Sequence, residues 1–193
     1  VLASTGFVGG VGMLALALFL LLPRPPVLGF GFLPPGSDDP TQLWKWMAAY
    51  EEKTGGDVLA IAHNGNLSNG RMFPTVEAFG RAIDRSYAEG RAKWERLYEA
   101  SQTKGDGETH PFLSPNDEFA NFERWDAGNL DGSVAKTKDM LEFEYARAAY
   151  KNGLALEAKL GVNPYKFGLA GGSDAHNGLA ALGEDNYFGK TTP

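Results

Sequence analysis

The hydrophobic and polar positions divide this chain into an apolar start and a mixed remainder. Residues 1–22 contain no charged side chain, and residues 23–40 are rich in Pro and Gly. A helix of that first length would span about 30 Å, the thickness of the hydrocarbon core of a bilayer. The pattern predicts a transmembrane anchor at 1–22, an extended linker at 23–40 and a folded α/β domain at 41–193.

Two other interpretations of the apolar start remain open. One is a secretory signal peptide, although the run has no basic region at its start and no small-residue cleavage site after it. The other is a buried core helix, although Leu14–Leu22 is apolar on every face. The anchor interpretation also gives a role to Gly6 and Gly10, whose GxxxG spacing would let this helix pack closely against a helix of a partner subunit.

In the folded part, helical periodicity alternates with short apolar runs, a pattern typical of an α/β fold with parallel strands. Asp39 and Pro40 favour the start of a helix, and Gly55 favours its end. A further helix start, with acidic residues in its first turn, is predicted at Ser114–Glu118. The other predicted helices cover residues 76–93 and 134–160, and the predicted strands cover residues 58–62, 97–100 and 167–170.

The net charge of −6 and the absence of Cys restrict the kinds of function. An acidic chain has no general attraction to nucleic acid, so no nucleic-acid partner is expected. Without Cys, disulfides, thiolate metal sites and cysteine nucleophiles are excluded. Neither a GxSxG nucleophile elbow nor a P-loop is present, which leaves little support for a serine hydrolase or a nucleoside triphosphatase.

All three histidines follow a predicted strand and have polar neighbours. Because the carboxyl ends of parallel strands meet at one edge of a sheet, His63, His110 and His176 are expected to lie close together. Glu108 and Asp174 each precede a histidine by two residues, a spacing that lets both side chains of an extended loop reach one ion. Imidazole and carboxylate together suit Zn, Mn or Fe. The alternative is an Asx-turn at Asp174 beside a solvated His176.

Four longer motifs cover much of the folded part. They are Gly56–Gly70 (GDVLAIAHNGNLSNG), Lys104–Ala120 (KGDGETHPFLSPNDEFA), Asn129–Gly132 and Asn163–Lys190 (NPYKFGLAGGSDAHNGLAALGEDNYFGK). With these motifs the chain resembles, from about Leu33 to its end, a large bacterial family of unknown function. That family is related to the PHP (polymerase and histidinol phosphatase) metal-dependent phosphoesterases.

The resemblance implies a distorted α/β barrel with a metal cluster at the strand ends. His63, Asp174 and His176 match positions that would be metal ligands, and the implied cofactor is one divalent ion, Zn, Mn or Fe. Glu108 and His110 would be neighbours of that ion. Members of the PHP superfamily open with a strand that carries a His-x-His pair, and here an apolar segment and a proline linker stand in its place. The expected fold is therefore a partial PHP-like barrel preceded by one transmembrane helix.

The expected function follows from the replacement of the His-x-His strand by an apolar segment and a proline linker. We expect a membrane-anchored accessory subunit of a larger membrane protein complex, built on a scaffold that is not catalytic. Its partners would contact the Gly6 and Gly10 face of the anchor and the exposed edge of the half barrel. The alternative is a metal-dependent, phosphoesterase-like hydrolase whose missing ligands come from another chain or segment. Since related proteins carry an export signal, the soluble part is expected on the periplasmic side.

Overall fold

The computed structural model describes residues 16–17, 39–175, 183 and 185–187. The helices are α1 (Pro40–Thr54), α2 (Arg85–Trp94) and α3 (Ala146–Leu160). The strands are β1 (Leu16–Ala17), β2 (Ala60–Ala62), β3 (Glu77–Ala78), β4 (Arg81–Ala82), β5 (Leu97–Gln102), β6 (Gly105–Asp106) and β7 (Gly168–Gly171). Short 3-10 helices lie at Gly65–Leu67 and Leu141–Phe143.

Strand β5 is the centre of the main sheet. It pairs in parallel with β2 on one edge, where Leu97 lies opposite Ile61, and with β7 on the other edge, where Leu97 lies opposite Gly168. Strand β6 pairs antiparallel with the last two residues of β5, and β1 pairs antiparallel with β2. The mixed α/β fold confirms the prediction of helices alternating with parallel strands. Within the described residues the sheet is open and does not close into a barrel.

Helix α1 begins and ends where the sequence predicts. The side chain of Asp39 accepts a hydrogen bond from the backbone N–H of Thr41 at 2.9 Å. Pro40 occupies the first turn, where a missing N–H costs nothing because it has no helical partner. Gly55 ends the helix in the left-handed conformation, which glycine adopts without a steric penalty.

The predicted helix at 76–93 is wrong in its first half. Strands β3 and β4 form a hairpin there, and α2 begins only after Asp84, whose carboxylate caps the helix. Phe79 and Gly80 connect the two strands with positive φ angles of 53° and 76°. A two-residue turn with both φ angles positive matches the right-handed twist of paired strands, so it directs the chain into a hairpin instead of a helix.

The predicted helix at 134–160 is confirmed only over α3, and its first part is wrong. The N–H of Asn129 donates to the carbonyl of Val134 at 2.9 Å, and the Asn129 side chain accepts from the N–H of Val134 at 3.0 Å. These bonds tie the start of the predicted helix to an earlier loop. A helix cannot form there because its backbone groups already have other partners.

The predicted helix start at Ser114–Glu118 is also wrong. The segment forms turns, in which the Asp117 carboxylate accepts a hydrogen bond from the N–H of Phe119 at 2.9 Å. Aspartate offers the backbone a local partner in this way and thereby competes with helix formation. Acidic residues at this position are therefore a turn signal in this chain.

Most of the predicted anchor and linker lies outside the described residues. Of residues 1–22, only Leu16–Ala17 are described, and they form β1 beside β2. Within the part of the chain that the structure describes, no helix is long and apolar enough to cross a bilayer. The anchor at 1–22 and the linker at 23–40 stay predictions.

A buried arginine joins the two hydrophobic clusters of the domain. Arg91 of α2 is 2% exposed, and its guanidinium lies 5.0 Å from the ring centroid of Tyr165 in the cluster under α3. It forms an ion pair of 2.9 Å with Glu95. The other Glu95 oxygen accepts a hydrogen bond from the indole N–H of Trp44, in the cluster between α1 and α2, at 3.0 Å. One charged pair therefore connects both halves of the core.

Replacing Arg91 by Met should lower the free energy of unfolding by about 3–5 kcal/mol, because a buried Glu95 would lose its counter-charge. Replacing the exposed Arg96 by Met should change the free energy of unfolding by less than about 0.5 kcal/mol. Urea unfolding of the full chain measures both effects.

In the double variant R91M/E95Q, part of the lost free energy of unfolding should be recovered. An R91M variant as stable as the wild type would contradict the role of the pair.

Candidate functional site

Polar side chains from three parts of the chain meet at one edge of the main sheet. Strands β2, β5 and β7 run in the same direction, so their carboxyl ends lie together. His63 follows β2, Gln102 ends β5, and residues 172–175 follow β7. We call this group the strand-end site. Its members are His63, Asn64, Glu99, Gln102, Lys104 and Asp174.

A chain of hydrogen bonds fixes the ring of His63. The backbone N–H of Lys104 donates to Oε1 of Gln102 at 2.6 Å, which leaves the Gln102 amide nitrogen to donate to Oδ1 of Asn64 at 2.9 Å. The amide nitrogen of Asn64 then donates to Nδ1 of His63 at 2.7 Å. Since a backbone N–H and an amide NH2 can only donate, this chain assigns a lone pair to Nδ1 of His63.

Glu99 places a carboxylate beside that lone pair. Its Oε2 lies 3.7 Å from Nδ1 of His63, and the side chains of His63 and Glu99 are 10% and 19% exposed. Two ligands of a tetrahedral ion, with bonds of about 2.1 Å, are about 3.4 Å apart. The register between β5 and β7 also shifts here, between Glu99 and Ser101. The spacing suits two ligands of one cation once Nδ1 gives up its hydrogen bond from Asn64, and the irregularity matches the tendency of bulges to lie next to active sites.

Asp174 reaches the same site from the loop after β7. Its carboxylate forms an ion pair with the ammonium of Lys104, and the two side chains are 8% and 19% exposed. The backbone of Asp174 has a φ of 56°, a conformation that Asp tolerates better than most residues. The ion pair holds this loop against the turn that connects β5 to β6.

The donor atoms of the strand-end site are of the types that Zn, Mn and Fe prefer, namely imidazole nitrogen and carboxylate oxygen. Two of the predicted ligands, His63 and Asp174, lie at this site, and His176 lies outside the described residues. Among the described residues alone, no group of three or more His, Asp or Glu side chains is arranged to hold a metal ion. The metal site stays a prediction, with two of its residues at one sheet edge.

Glu108 and His110, the other predicted neighbours of the metal, lie in a separate cluster. Glu108 forms an ion pair of 2.7 Å with Arg147. Nδ1 of His110 accepts from the N–H of Phe112 at 3.0 Å, and Nε2 lies 2.8 Å from the carboxylate of Asp126. Both ring nitrogens of His110 are thus engaged within the chain. Because Arg147 lies in α3, and Phe112 and Asp126 lie in the loop after β6, the structure does not bring Glu108 or His110 to the strand-end site.

A buried ion pair holds the loop that carries His63. Glu144 is fully buried and pairs with Lys136, whose side chain is 7% exposed. The Glu144 carboxylate accepts from the N–H of Gly70 at 2.9 Å, and the Lys136 ammonium donates to the carbonyl of Asn66 at 2.9 Å. Burial raises the pKa of the Glu144 carboxyl, and the hydrogen bond from Lys136 opposes that rise. The loop after β2 therefore depends on a charged pair from a distant segment.

Two further contacts position the same loop. The side-chain amide of Asn66 donates to the carbonyls of Lys104 and Trp125, at 3.0 and 2.9 Å. Gly65 packs so closely on Tyr98 that an added Cβ would lie 2.4 Å from the tyrosine oxygen. No other residue fits at this glycine without displacing the ring from the core, which explains why glycine follows the His-Asn pair.

A family model described as "Protein of unknown function (DUF3604)" matches residues 29–193. The chain belongs to the DUF3604 family. No curated protein and no solved structure matches it. The matched range of this DUF3604 chain includes every residue of the strand-end site, and the membership confirms the resemblance to a family of unknown function.

Reasoning from the sequence of this DUF3604 chain missed Glu99, Gln102 and Lys104. Glu99 carried a usable signal, because it lies within the predicted strand at 97–100 and a carboxylate in a buried strand needs a polar partner. Lys104 carried none, since its contact with Asp174 joins positions 70 residues apart. That contact exists only because β5 and β7 pair.

Replacing Lys136 by Met should destabilise the DUF3604 chain by about 3–5 kcal/mol near pH 7, because Glu144 would be buried without its counter-charge. The raised pKa of Glu144 in the folded chain means that its ionisation costs stability above that pKa, and this cost disappears once the carboxyl is protonated. The destabilisation should therefore shrink as the pH falls towards about 5. Urea unfolding at both pH values measures it.

The matched control is Lys138, an exposed lysine two positions along the chain. A K138M variant should stay within about 0.5 kcal/mol of the wild type at both pH values. An effect of K136M that is equally large at both pH values would show that the charge of Glu144 is not what Lys136 balances.

Proposed function

We propose that this DUF3604 chain is a metal-dependent hydrolase of phosphate esters, in keeping with the expected relation of its family to the PHP phosphoesterases. The observation that supports this most is the 3.7 Å distance between Nδ1 of His63 and Oε2 of Glu99. It lies at the carboxyl edge of parallel strands, where α/β folds bind their ligands. Asp174 adds a second carboxylate from the neighbouring loop.

The first proposed ligands are His63 and Glu99; Asp174, which pairs with Lys104, and His176, which enters from the sequence alone, would join them when the ion binds. A divalent cation bound by them supplies Lewis acidity and lowers the pKa of water, the chemistry that phosphate-ester hydrolysis requires. The proposal includes further ligands from another chain or segment. The accessory-subunit hypothesis gives these residues no catalytic role. The proximity of His63 and Glu99 is the reason for preferring an enzyme.

The remaining residues of the site have positioning roles in this proposal. Asn64 and Gln102 hold the His63 ring through side-chain hydrogen bonds, and the Asn64 amide that donates to Nδ1 would give up this bond when Nδ1 binds a cation beside Glu99. Burial of both ligands further strengthens their attraction to a cation, since few water molecules compete.

The test is the metal content and the phosphatase activity of the purified full chain. We expect about one or more Mn, Zn or Fe ions per chain, and hydrolysis of p-nitrophenyl phosphate that a chelator abolishes. Replacing Glu99 by Gln keeps the size of the side chain but removes the charge, so metal content and activity should each fall by more than about tenfold. The variant E142Q changes an exposed glutamate on another segment and should retain both.

Full metal content in E99Q would contradict the assignment of Glu99. A wild-type chain that binds no divalent ion, and whose thermal midpoint does not respond to chelator, would overturn the proposed function.

A second candidate function, an accessory subunit of a membrane protein complex, is favoured by one observation. Four aromatic side chains on the loop after β6 are between 53% and 72% exposed. They are Phe112, Phe119, Phe122 and Trp125. Large apolar side chains in such numbers on one loop are typical of a surface that contacts another protein. This surface lies outside the strand-end site, so the two functions are compatible.

If a partner subunit covers these aromatic residues, the chain extracted from its native membrane in mild detergent should migrate as part of a larger particle. The double variant F119S/F122S should then be released as a smaller species, because the partner would lose apolar contact area. Val76, which is 77% exposed on a different segment, provides the control V76S. A wild-type chain that migrates as a free monomer under the same conditions would contradict this candidate.

A further inference from the structure

We propose that Lys104 is the anion-binding residue of the strand-end site. Its ammonium pairs with Asp174 and would exchange this partner for an anionic phosphate oxygen of the substrate when a divalent cation takes the Asp174 carboxylate. This inference rests on the proposed function and deepens it, because it names the residue that would recognise the charged part of the substrate.

The backbone of Lys104 is fixed independently of Asp174. Its N–H donates to Oε1 of Gln102 at 2.6 Å, and its carbonyl accepts from the side-chain amide of Asn66 at 3.0 Å. It lies in the turn between β5 and β6, which pair antiparallel. The start of the lysine side chain therefore stays at the site whatever the ammonium contacts.

The ammonium itself is able to change partners. A lysine side chain is a flexible stem with a compact charge, so it can turn from one oxygen to another without a backbone movement. The Lys104 side chain is 19% exposed, whereas the Asp174 side chain is 8% exposed. The lysine is therefore the more exposed partner of the pair.

The charges at the site favour such an exchange. Glu99 and Asp174 are negative and Lys104 is positive, so the described charged groups leave a single negative charge. A divalent cation turns this into a single positive charge, which attracts an anion. The cation and the ammonium also repel each other and compete for the Asp174 carboxylate. Metal binding would therefore release Lys104 and at the same time leave the site with a net positive charge that attracts an anion.

Two binding measurements on the full chain test the exchange. Titration calorimetry measures the affinity for Mn²⁺ alone, and then the affinity of the Mn²⁺-loaded chain for inorganic phosphate. In K104M, which keeps the length of the side chain but not its charge, Mn²⁺ should bind about tenfold more tightly, because the competing ammonium is gone. Phosphate should bind about tenfold more weakly, because its cationic partner is gone.

Opposite shifts distinguish the proposal from a structural role, since a distorted site would bind both probes more weakly. The variant K104R retains the charge and should keep phosphate affinity within about threefold of the wild type. K151M, an exposed lysine change on α3, should alter neither affinity.

A K104M variant that binds phosphate as the wild type does, or binds Mn²⁺ no more tightly, overturns the role of Lys104 and leaves the proposed function intact. A wild-type chain that binds none of Mn²⁺, Zn²⁺ and Fe²⁺ overturns the proposed function and this inference together.

Discussion

The parallel pairing of β5 on both of its edges is the constraint on which the rest of the structure depends. Leu97 lies opposite Ile61 of β2 and opposite Gly168 of β7, so β5 cannot shift without breaking two ladders at once. Because all three strands run in one direction, the segments that follow them emerge at the same edge. A histidine after β2, a carboxylate on β5 and a second carboxylate after β7 become neighbours for this reason alone.

Buried charges connect the irregular parts of the chain to that sheet. Arg91 and Glu95 join the two hydrophobic clusters, Lys136 and Glu144 hold the loop after β2, and Lys104 and Asp174 join the loops after β5 and β7. Burying a charge is costly unless a partner and further hydrogen bonds compensate it. Each pair therefore specifies one arrangement of its two segments more strongly than apolar contacts would. Of these three pairs, Lys104 and Asp174 lie with His63 and Glu99 at the strand ends, and the proposed exchange of partners involves this pair.

The helices show where local sequence is sufficient and where it is not. Helix α1 was predictable at both ends, because Asp39, Pro40 and Gly55 act on the backbone within a few residues. The structure of the segment before α2 was not predictable in this way, since Phe79 and Gly80 direct this segment into a hairpin. Apolar spacing alone does not distinguish a short hairpin from a helical turn. The segment before α3 was not predictable either, because its backbone bonds to Asn129 compete with helical ones.

The sequence by itself determined the class of fold, the order of α1, β2, α2, β5, α3 and β7 (with one helix too many, at 114–118), and the placement of His63 and Asp174 in loops that follow strands. These properties depend on the period of the apolar residues and on caps, which act over short distances. Only the tertiary structure decided which polar residues share a site. It brought Glu99 and Lys104 to His63 and Asp174, and it directed Glu108 and His110 to Arg147 and Asp126. Such contacts depend on strand pairing and on loop paths between distant positions, which the spacing of residues along the chain does not contain.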